Sequence, residues 1–139
     1  MAASSDLAPI AVNVMAHGVD LVDIDDMRRL VETPLSSQLS RTFTQGELDS
    51  CGEGQLRLER LAGRFATKEA VMKALGVGFG DGVGFPDIET VNLDSGAPTV
   101  VLHNTIAKLA EKAGVQRWLV STSHTGKVAF ASVIGLAAK

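Results

Sequence analysis

The segment Gln55–Leu75, QLRLERLAGRFATKEAVMKAL, decides the fold of this 139-residue chain. Strong helix formers fill it, and Gly76 directly after it is a natural C-terminal stop. A repeat of 3.6 residues per turn places five apolar side chains on one face: Leu58, Leu61, Ala62, Phe65 and Met72. We therefore predict one long helix here, with this apolar stripe facing the core.

Two charged residues lie on or beside that stripe. Glu69 falls about 20° from Leu58 around the helix axis, inside the stripe, and Lys73 follows one turn later at its edge. A carboxylate in an apolar setting is costly unless it is paired or binds a metal. Glu69 and Lys73 also form an ordinary i,i+4 pair, which usually lies in solvent. The helix alone leaves both interpretations open.

The remaining sequence predicts an α+β domain with a small antiparallel sheet packed against one long helix and several short helices. The first predicted short helix follows Asp23, and Pro34 either ends it or starts the next one. The other predicted short helices cover Ser36–Phe43, start at the capping box Thr44–Glu47, and cover Asn104–Gly114. Predicted strands lie near Ala16–Val22, Ile88–Leu93, Thr99–Leu102, Trp118–Ser123 and Val128–Ile134. We expect residues 1–14 to be a flexible N-terminal extension and residues 15–139 to form one domain.

The composition excludes several classes of protein. The formal charge is −3 and aromatic residues make up 4%, which argues against a nucleic-acid-binding protein. No stretch approaches the length of a membrane span, and the N-terminus lacks the pattern of a signal peptide. Cys51 is the only cysteine, so we expect a bystander thiol in a cytoplasmic protein.

A second carboxylate stands out at Asp20, which interrupts the apolar strand Gly18–Val22. Aspartate is disfavoured within strands, although it can also end the strand or cap the next helix. Two misplaced carboxylates, Asp20 and Glu69, have a common explanation in a bound Mg²⁺ ion. Mg²⁺ usually takes one or two protein carboxylates and fills its other positions with water and substrate phosphate oxygens.

Two further segments suggest phosphate binding, each with a simpler alternative. Glycines at positions 76, 78, 80, 82 and 84 permit close backbone approach to a phosphate, but they also suit a flexible connector. Ser121–Gly126 places hydroxyls and an imidazole at a hairpin tip, which can equally be a plain turn. A serine–histidine nucleophile is not expected there, because no acid is placed to orient His124.

Four segments together resemble the holo-acyl-carrier-protein synthases. GVDLV (Gly18–Val22) is similar to their N-terminal signature, and RFATKEAVMKALG (Arg64–Gly76) follows their central motif nearly letter for letter. STSHT (Ser121–Thr125) is similar to their C-terminal segment, and RTFTQGE (Arg41–Glu47) matches a looser one. The resemblance spans about residues 16–135. It implies a Mg²⁺-dependent 4′-phosphopantetheinyl transferase, which moves the phosphopantetheine arm of coenzyme A onto a serine of apo-acyl carrier protein in support of fatty acid biosynthesis.

The resemblance also implies a homotrimer with active sites in clefts between subunits. Asp20 and Glu69 match the Mg²⁺ ligands, and Lys73 matches a lysine near the reacting phosphate. Glu69, directly or through a water molecule, is the candidate base. The positions that match contacts to coenzyme A are Arg64, Lys68, Gly76, Gly78, Gly80, Pro98, Ser123 and His124.

The chain departs from the family at two positions. Asp26 stands where a basic residue for docking the acidic carrier is usual, so either Arg28 and Arg29 replace it, with Arg41 sharing the task, or docking differs. Ala97 replaces a lysine that often precedes the proline of the strand turn. Two other interpretations stay open: a non-enzymatic protein that binds coenzyme A or a nucleotide, and a small α+β scaffold whose charged helix is merely surface.

Overall fold

The computed structural model describes residues 13–33 and 37–138. The helices are α1 (Ile24–Glu32), α2 (Ser37–Thr42), α3 (Gln45–Ser50), α4 (Gln55–Leu75) and α5 (Asn104–Lys112). The strands are β1 (Val14–Asp23), β2 (Ile88–Asn92), β3 (Pro98–Leu102), β4 (Arg117–His124) and β5 (Val128–Leu136). Short 3₁₀ turns, Phe79–Asp81 and Phe85–Asp87, connect α4 to β2. The predicted α+β class is confirmed, and the long helix has the predicted bounds.

The strands form two antiparallel sheets instead of the single sheet predicted. One sheet has the order β1-β5-β4, and β2 and β3 form a separate hairpin. In the larger sheet Asp20 lies opposite Ala131, which in turn lies opposite Thr122. The two strands that carry the N-terminal and C-terminal motifs therefore flank β5.

Helix α4 is the centre of the molecule. It packs against β1, β5 and β4 of the larger sheet, against β2 of the hairpin and against α1. Its buried side chains consequently extend well beyond the predicted stripe and include Thr67, Lys68, Ala70 and Val71. Phe65, predicted to face the core, is only half-buried. A helix covered on several sides cannot be described by one apolar face.

Gly18 allows β1 to lie directly on α4. A Cβ atom at this position would lie 2.0 Å from the carbonyl oxygen of Ala70 and 2.9 Å from the amide nitrogen of Ala74. Only a residue without a side chain permits this approach. Because side chains alternate along a strand, Asp20 points to the same face as Gly18 and so toward α4.

The caps of three helices agree with the predictions made from the sequence. The Asp23 side chain accepts from the amide of Asp25 at the start of α1, and Thr44 and Glu47 form the predicted capping box of α3. Gly76 ends α4 in the left-handed conformation, with φ at 67°.

The start of the chain differs from the prediction. Val14 pairs with Leu136, and the Asn13 carbonyl accepts from the Ala137 amide at 2.7 Å, so these two residues belong to the sheet. The rest of the predicted extension, together with Pro34 and Ser36, lies outside the described residues. Within the described ranges, no helix has both the length and the apolar character needed to cross a bilayer.

Candidate active site

An ion pair joins β1 to α4 at the predicted metal site. The Lys73 Nζ atom donates to Oδ1 of Asp20 at 2.7 Å. The Asp20 side chain is 13% exposed and that of Lys73 is 58% exposed. Asp20 is therefore held against the helix, whereas the lysine ammonium remains open to solvent.

Glu69 completes a cluster with Asp20 and Lys73. Burial raises the pKa of Glu69, and the nearby Asp20 carboxylate raises it further, while Lys73 lowers it. Two carboxylates and one ammonium leave a net negative charge when all three are ionised. This charge, in a partly desolvated position, favours binding of a cation.

The donor set fits Mg²⁺ that also binds a ligand. Among residues 13–33 and 37–138, no three His, Cys, Asp or Glu side chains are grouped so that they could hold a metal ion alone. Asp20 and Glu69 would supply two carboxylate oxygens, and Mg²⁺ commonly takes its other ligands from water and phosphate. The residues present therefore fit this ion, with substrate oxygens as part of its coordination.

The glycine-rich loop begins immediately after the cluster. Gly76 donates from its amide to the Lys73 carbonyl at 3.2 Å, so the loop leaves the helix one turn beyond the ion pair. Cβ atoms added at Gly76, Gly78 or Gly80 would meet no atom within 4 Å. The amide of Gly78, however, donates to Oδ2 of Asp81 at 2.9 Å. A phosphate that uses the Gly78 amide must first displace that carboxylate.

A separate cleft of about 470 Å³ lies on another side of α4. Helix α4 forms its floor, the β2–β3 hairpin one wall and the end of β4 the other. Its lining residues are Ser50, Glu59, Arg60, Gly63, Arg64, Thr67, Thr90, Asn92, Pro98, Thr122, Ser123 and His124. Four of the residues predicted to contact coenzyme A, namely Arg64, Pro98, Ser123 and His124, thus meet in one cleft.

Arg64 is held at the floor of this cleft. Its Nε atom donates to the Cys51 sulfur and its Nη2 atom to the Ser50 hydroxyl, each at 2.9 Å. Burial raises the pKa of the Cys51 thiol, which keeps it protonated. This setting fits the bystander role predicted for Cys51.

His124 has an acidic neighbour that the sequence did not reveal. Oε2 of Glu59 lies 3.6 Å from Nδ1 of His124, and the Glu59 side chain is 14% exposed. The expectation that no acid is placed to orient His124 did not foresee this neighbour, although at 3.6 Å the carboxylate makes no hydrogen bond to the imidazole. The carboxylate comes from α4, across the cleft from the hairpin tip, so the hairpin sequence could not indicate it.

Lys68 lies in the interior, away from both the cluster and the cleft. Its Nζ atom donates to Oε1 of Glu47 at 2.6 Å and to the carbonyl oxygens of Phe85 and Ile88. Both Lys68 and Glu47 are fully buried, and burial lowers the pKa of Lys68 while Glu47 opposes that shift. All three donors of the ammonium are in use. In this arrangement Lys68 cannot contact a ligand directly, in contrast to the prediction, and it instead joins α3, α4 and the start of β2.

The predicted site residues thus form two groups. Asp20, Glu69 and Lys73 lie together before the glycine loop, and Arg64 lies with the hairpin tip in the cleft. Arg64 and Glu69 project from α4 about 140° apart. One chain alone therefore does not bring the two groups into one site.

The arginines expected to dock a carrier protein lie elsewhere, on α1 and α2. Arg29 pairs with Asp26 at 2.6 Å, and Arg28 lies 3.8 Å from Asp25. Arg41 is exposed at the end of α2. The first two arginines are thus partly neutralised by acids of their own helix.

Comparison with known proteins gives the family. The family model described as the 4′-phosphopantetheinyl transferase superfamily matches residues 16–131. The chain belongs to this superfamily. Its curated relatives in the superfamily include holo-[acyl-carrier-protein] synthases from Solibacter usitatus, 40% identical over 87% of this chain and 97% of that protein, and from Gloeobacter violaceus, 44% identical over 84% and 88%.

Solved structures of phosphopantetheinyl transferases agree. The Helicobacter pylori holo-[acyl-carrier-protein] synthase in complex with coenzyme A matches with a TM-score of 0.74 at 29% identity, over 86% of this chain and 98% of that one. The family that the sequence motifs predicted is therefore confirmed, and so is the transferase fold. The assignment of the chain as a phosphopantetheinyl transferase is confirmed as well.

Three residues that shape the site of this transferase were not singled out from the sequence. Gly18 stands in the N-terminal motif two residues before Asp20, and that period-2 spacing was an available signal for a shared face. Glu47 was assigned only as half of a capping box, yet it also binds Lys68 and the Thr90 amide. Glu59 meets His124 only through tertiary folding, and no local pattern marks it.

Proposed function

We propose that this chain transfers the 4′-phosphopantetheine group of coenzyme A to a serine of apo-acyl carrier protein in a Mg²⁺-dependent reaction. The observation that carries the proposal is the meeting of Asp20, Glu69 and Lys73 at one position between β1 and α4. The relatives' names and the coenzyme A complex of a similar structure support this choice of substrates.

The reaction is a phosphodiester transfer. The serine oxygen forms a bond to the β-phosphorus of coenzyme A, the bond from that phosphorus to the bridging oxygen breaks, and adenosine 3′,5′-bisphosphate leaves with the bonding electrons. Positioning and charge neutralisation contribute most to such a transfer. Mg²⁺, when bound by Asp20 and Glu69, supplies charge neutralisation for the diphosphate.

The protein residues have distinct tasks in this scheme. Lys73 is exposed and long enough to turn from Asp20 toward a phosphate oxygen, where it stabilises the growing negative charge. Glu69 is the candidate acceptor of the serine proton, directly or through a water molecule.

We further propose that a second copy of the chain completes each site, in a homotrimer. The cleft with Arg64 and His124 then belongs to one subunit, and the Asp20 cluster to its neighbour. An exposed apolar face of the larger sheet supports self-association. Its members are Val19, Leu21, Leu119 and Phe130, exposed by 41%, 67%, 49% and 36%. Leu21 and Phe130 lie directly opposite each other in the register, so the patch is continuous across β1 and β5.

Docking of the carrier is assigned to Arg28, Arg29 and Arg41 on α1 and α2. Because Asp25 and Asp26 already pair with the first two, an acidic carrier has to replace these partners. Arg41 makes no ion pair with a described residue, which makes it the arginine most readily available. The fatty acid role and the cytoplasmic location remain predictions.

The decisive experiment is incubation with apo-acyl carrier protein, coenzyme A and Mg²⁺, followed by mass spectrometry of the intact carrier. We expect a mass increase that corresponds to one phosphopantetheine group, lost when EDTA replaces Mg²⁺. Binding of coenzyme A without any mass change would favour the non-enzymatic binder, and absence of both would favour the scaffold.

A further inference from the structure

Thr90 carries a buried hydroxyl that has no partner. The residue is 5% exposed, and its Oγ1 atom makes no hydrogen bond with any residue in the described ranges. Its amide, in contrast, donates to Oε2 of Glu47 at 3.0 Å, which fixes the backbone of β2 at this point. The backbone is thus held in place while the polar atom of the side chain remains unused.

The position of this hydroxyl is specific. Thr90 lines the cleft described above, where it belongs to the wall formed by the β2–β3 hairpin. Buried polar groups in proteins are nearly always hydrogen-bonded, so an orphan hydroxyl on a residue that lines a cleft indicates a missing partner. The Oγ1 atom is closed to solvent in the free chain, so a ligand in the cleft reaches it when the Thr90 side chain rotates toward the cleft.

The neighbouring charges indicate what that partner is. Arg64, 9% exposed, uses its Nε and Nη2 atoms within the protein, but its Nη1 atom makes no hydrogen bond with a described residue. Arg60 and His124 line the same cleft, and the one carboxylate among the lining residues, Glu59, lies 3.6 Å from Nδ1 of His124. A hydroxyl donor in a cleft that also holds a guanidinium group with unused N–H bonds is suited to an anionic oxygen, because hydrogen bonds to charged acceptors are the stronger ones.

We propose that Thr90 donates its hydroxyl to a phosphate oxygen of the nucleotide end of the ligand, next to Arg64, and that it contributes to selection of coenzyme A over its 3′-dephospho form. This inference rests on the proposed function, since the predicted contacts to coenzyme A at Arg64, Pro98, Ser123 and His124 line this cleft, and it assigns the nucleotide end of the ligand to them. It concerns Thr90 alone among the lining residues, since Thr67, also buried there, donates its hydroxyl to the Gly63 carbonyl.

The test is Thr90→Val, which replaces the hydroxyl by a methyl group of similar size. Isothermal titration measures the binding of adenosine 3′,5′-bisphosphate, coenzyme A and 3′-dephospho-coenzyme A to the full chain. We expect the variant to bind adenosine 3′,5′-bisphosphate and coenzyme A on the order of tenfold more weakly, and its affinity for 3′-dephospho-coenzyme A to be almost unchanged. Thr90→Ser keeps the hydroxyl and should retain most of the affinity.

Stability provides a readout that separates this role from a structural one. Because the hydroxyl is unsatisfied in the free protein, Thr90→Val should melt at the same temperature as the parent chain or higher without ligand. Thr42→Val is the matched control, since Thr42 is 8% exposed and its hydroxyl donates to the Gln38 carbonyl at 2.8 Å. That variant should bind all three ligands normally.

The possible outcomes are distinct. If the parent chain binds the bisphosphate and Thr90→Val binds it equally well, the inference is overturned and the proposed function stands. If Thr90→Val weakens the binding of coenzyme A and of its 3′-dephospho form equally, the proposed contact of Thr90 to the 3′-phosphate is ruled out. If the parent chain binds none of the three ligands, the proposed function and the inference fall together.

Discussion

The Lys73 ammonium lies 2.7 Å from the Asp20 carboxylate, although the two residues are 53 positions apart in the chain. The contact joins the N-terminal strand to the C-terminal part of α4. The Asp20 side chain is mostly buried, so it is fixed in place. The Lys73 side chain is mostly exposed, so it is free to move. The consequences of this contact, and of the groups around it, can be tested one residue at a time.

Asp20→Asn should abolish most of the Mg²⁺-dependent transfer while the fold survives. The amide keeps the shape of the side chain but loses the charge that pairs with Lys73 and that, in the proposed function, binds the cation. We expect a loss of rate of at least about 10²-fold, as for removal of one electrostatic contact in an active site. Steady-state kinetics over a range of Mg²⁺ concentrations measures it. Glu111→Gln, on the surface of α5, is the control, and near-parental activity in Asp20→Asn would contradict the metal assignment.

Glu69→Gln should inactivate the enzyme without destabilising the metal-free protein. Since the folded pKa of Glu69 lies above its unfolded value of about 4.3, the folded state holds this proton more tightly. Stability contributed by Glu69 is therefore present below pH 4 and is lost as the pH rises through the folded pKa. Glutamine does not titrate, so the variant does not lose this stability as the pH rises.

The measurement is thermal unfolding in EDTA between pH 4 and pH 8. The difference in Tm between Glu69→Gln and the parent chain should shift in favour of the variant as the pH increases. A difference that shifts in favour of the parent chain would show that the carboxylate is stabilised in its charged form by the protein itself.

Gly18→Ala should weaken both stability and activity. The added methyl group would collide with the Ala70 carbonyl and force β1 away from α4, which moves Asp20 from Glu69 and Lys73. Overpacking of this kind typically costs about 1–3 kcal/mol in the free energy of unfolding. Urea unfolding and transfer assays measure both effects. Gly126→Ala is the control, because a Cβ atom there meets nothing within 4 Å.

Mixed oligomers of two inactive variants should regain activity. If the Asp20 cluster and the cleft of one site come from different subunits, a trimer of Asp20→Asn and His124→Ala chains contains some interfaces that are intact on both sides. With random mixing, about a quarter of all interfaces qualify, and in each mixed trimer that tandem purification retains, one of the three interfaces qualifies. Co-expression with two affinity tags, tandem purification and the mass assay test this. Activity no greater than that of either variant alone would place a complete site within one chain.

Much of the fold could be predicted because its local signals agree. The helix formers of Gln55–Leu75, the left-handed stop at Gly76 and the capping box at Thr44 each correspond to one physical preference. The separation of the β2–β3 hairpin from the larger sheet had no such signal, since strand alternation does not say which strands pair.

Site residues could be predicted where the residue type is unfavourable in its predicted helix or strand. Asp20 and Glu69 stood out as carboxylates in apolar settings, and the structure brings them together with Lys73. Lys68 shows the limit of that reasoning. A motif position can indicate a ligand contact or a buried ion pair, and only the tertiary partner, here Glu47, distinguishes them.

Helix α4 connects the cluster and the cleft as a rigid spacer. Each residue added to a helix turns everything beyond it by about 100° and moves it by about 1.5 Å. A single insertion between Arg64 and Glu69 would thus misalign both groups at once, whereas an exposed turn such as Ser95–Gly96 could change in length at less cost. Length variation during evolution should accordingly be confined to the loops, and the number of residues between these two side chains should be invariant.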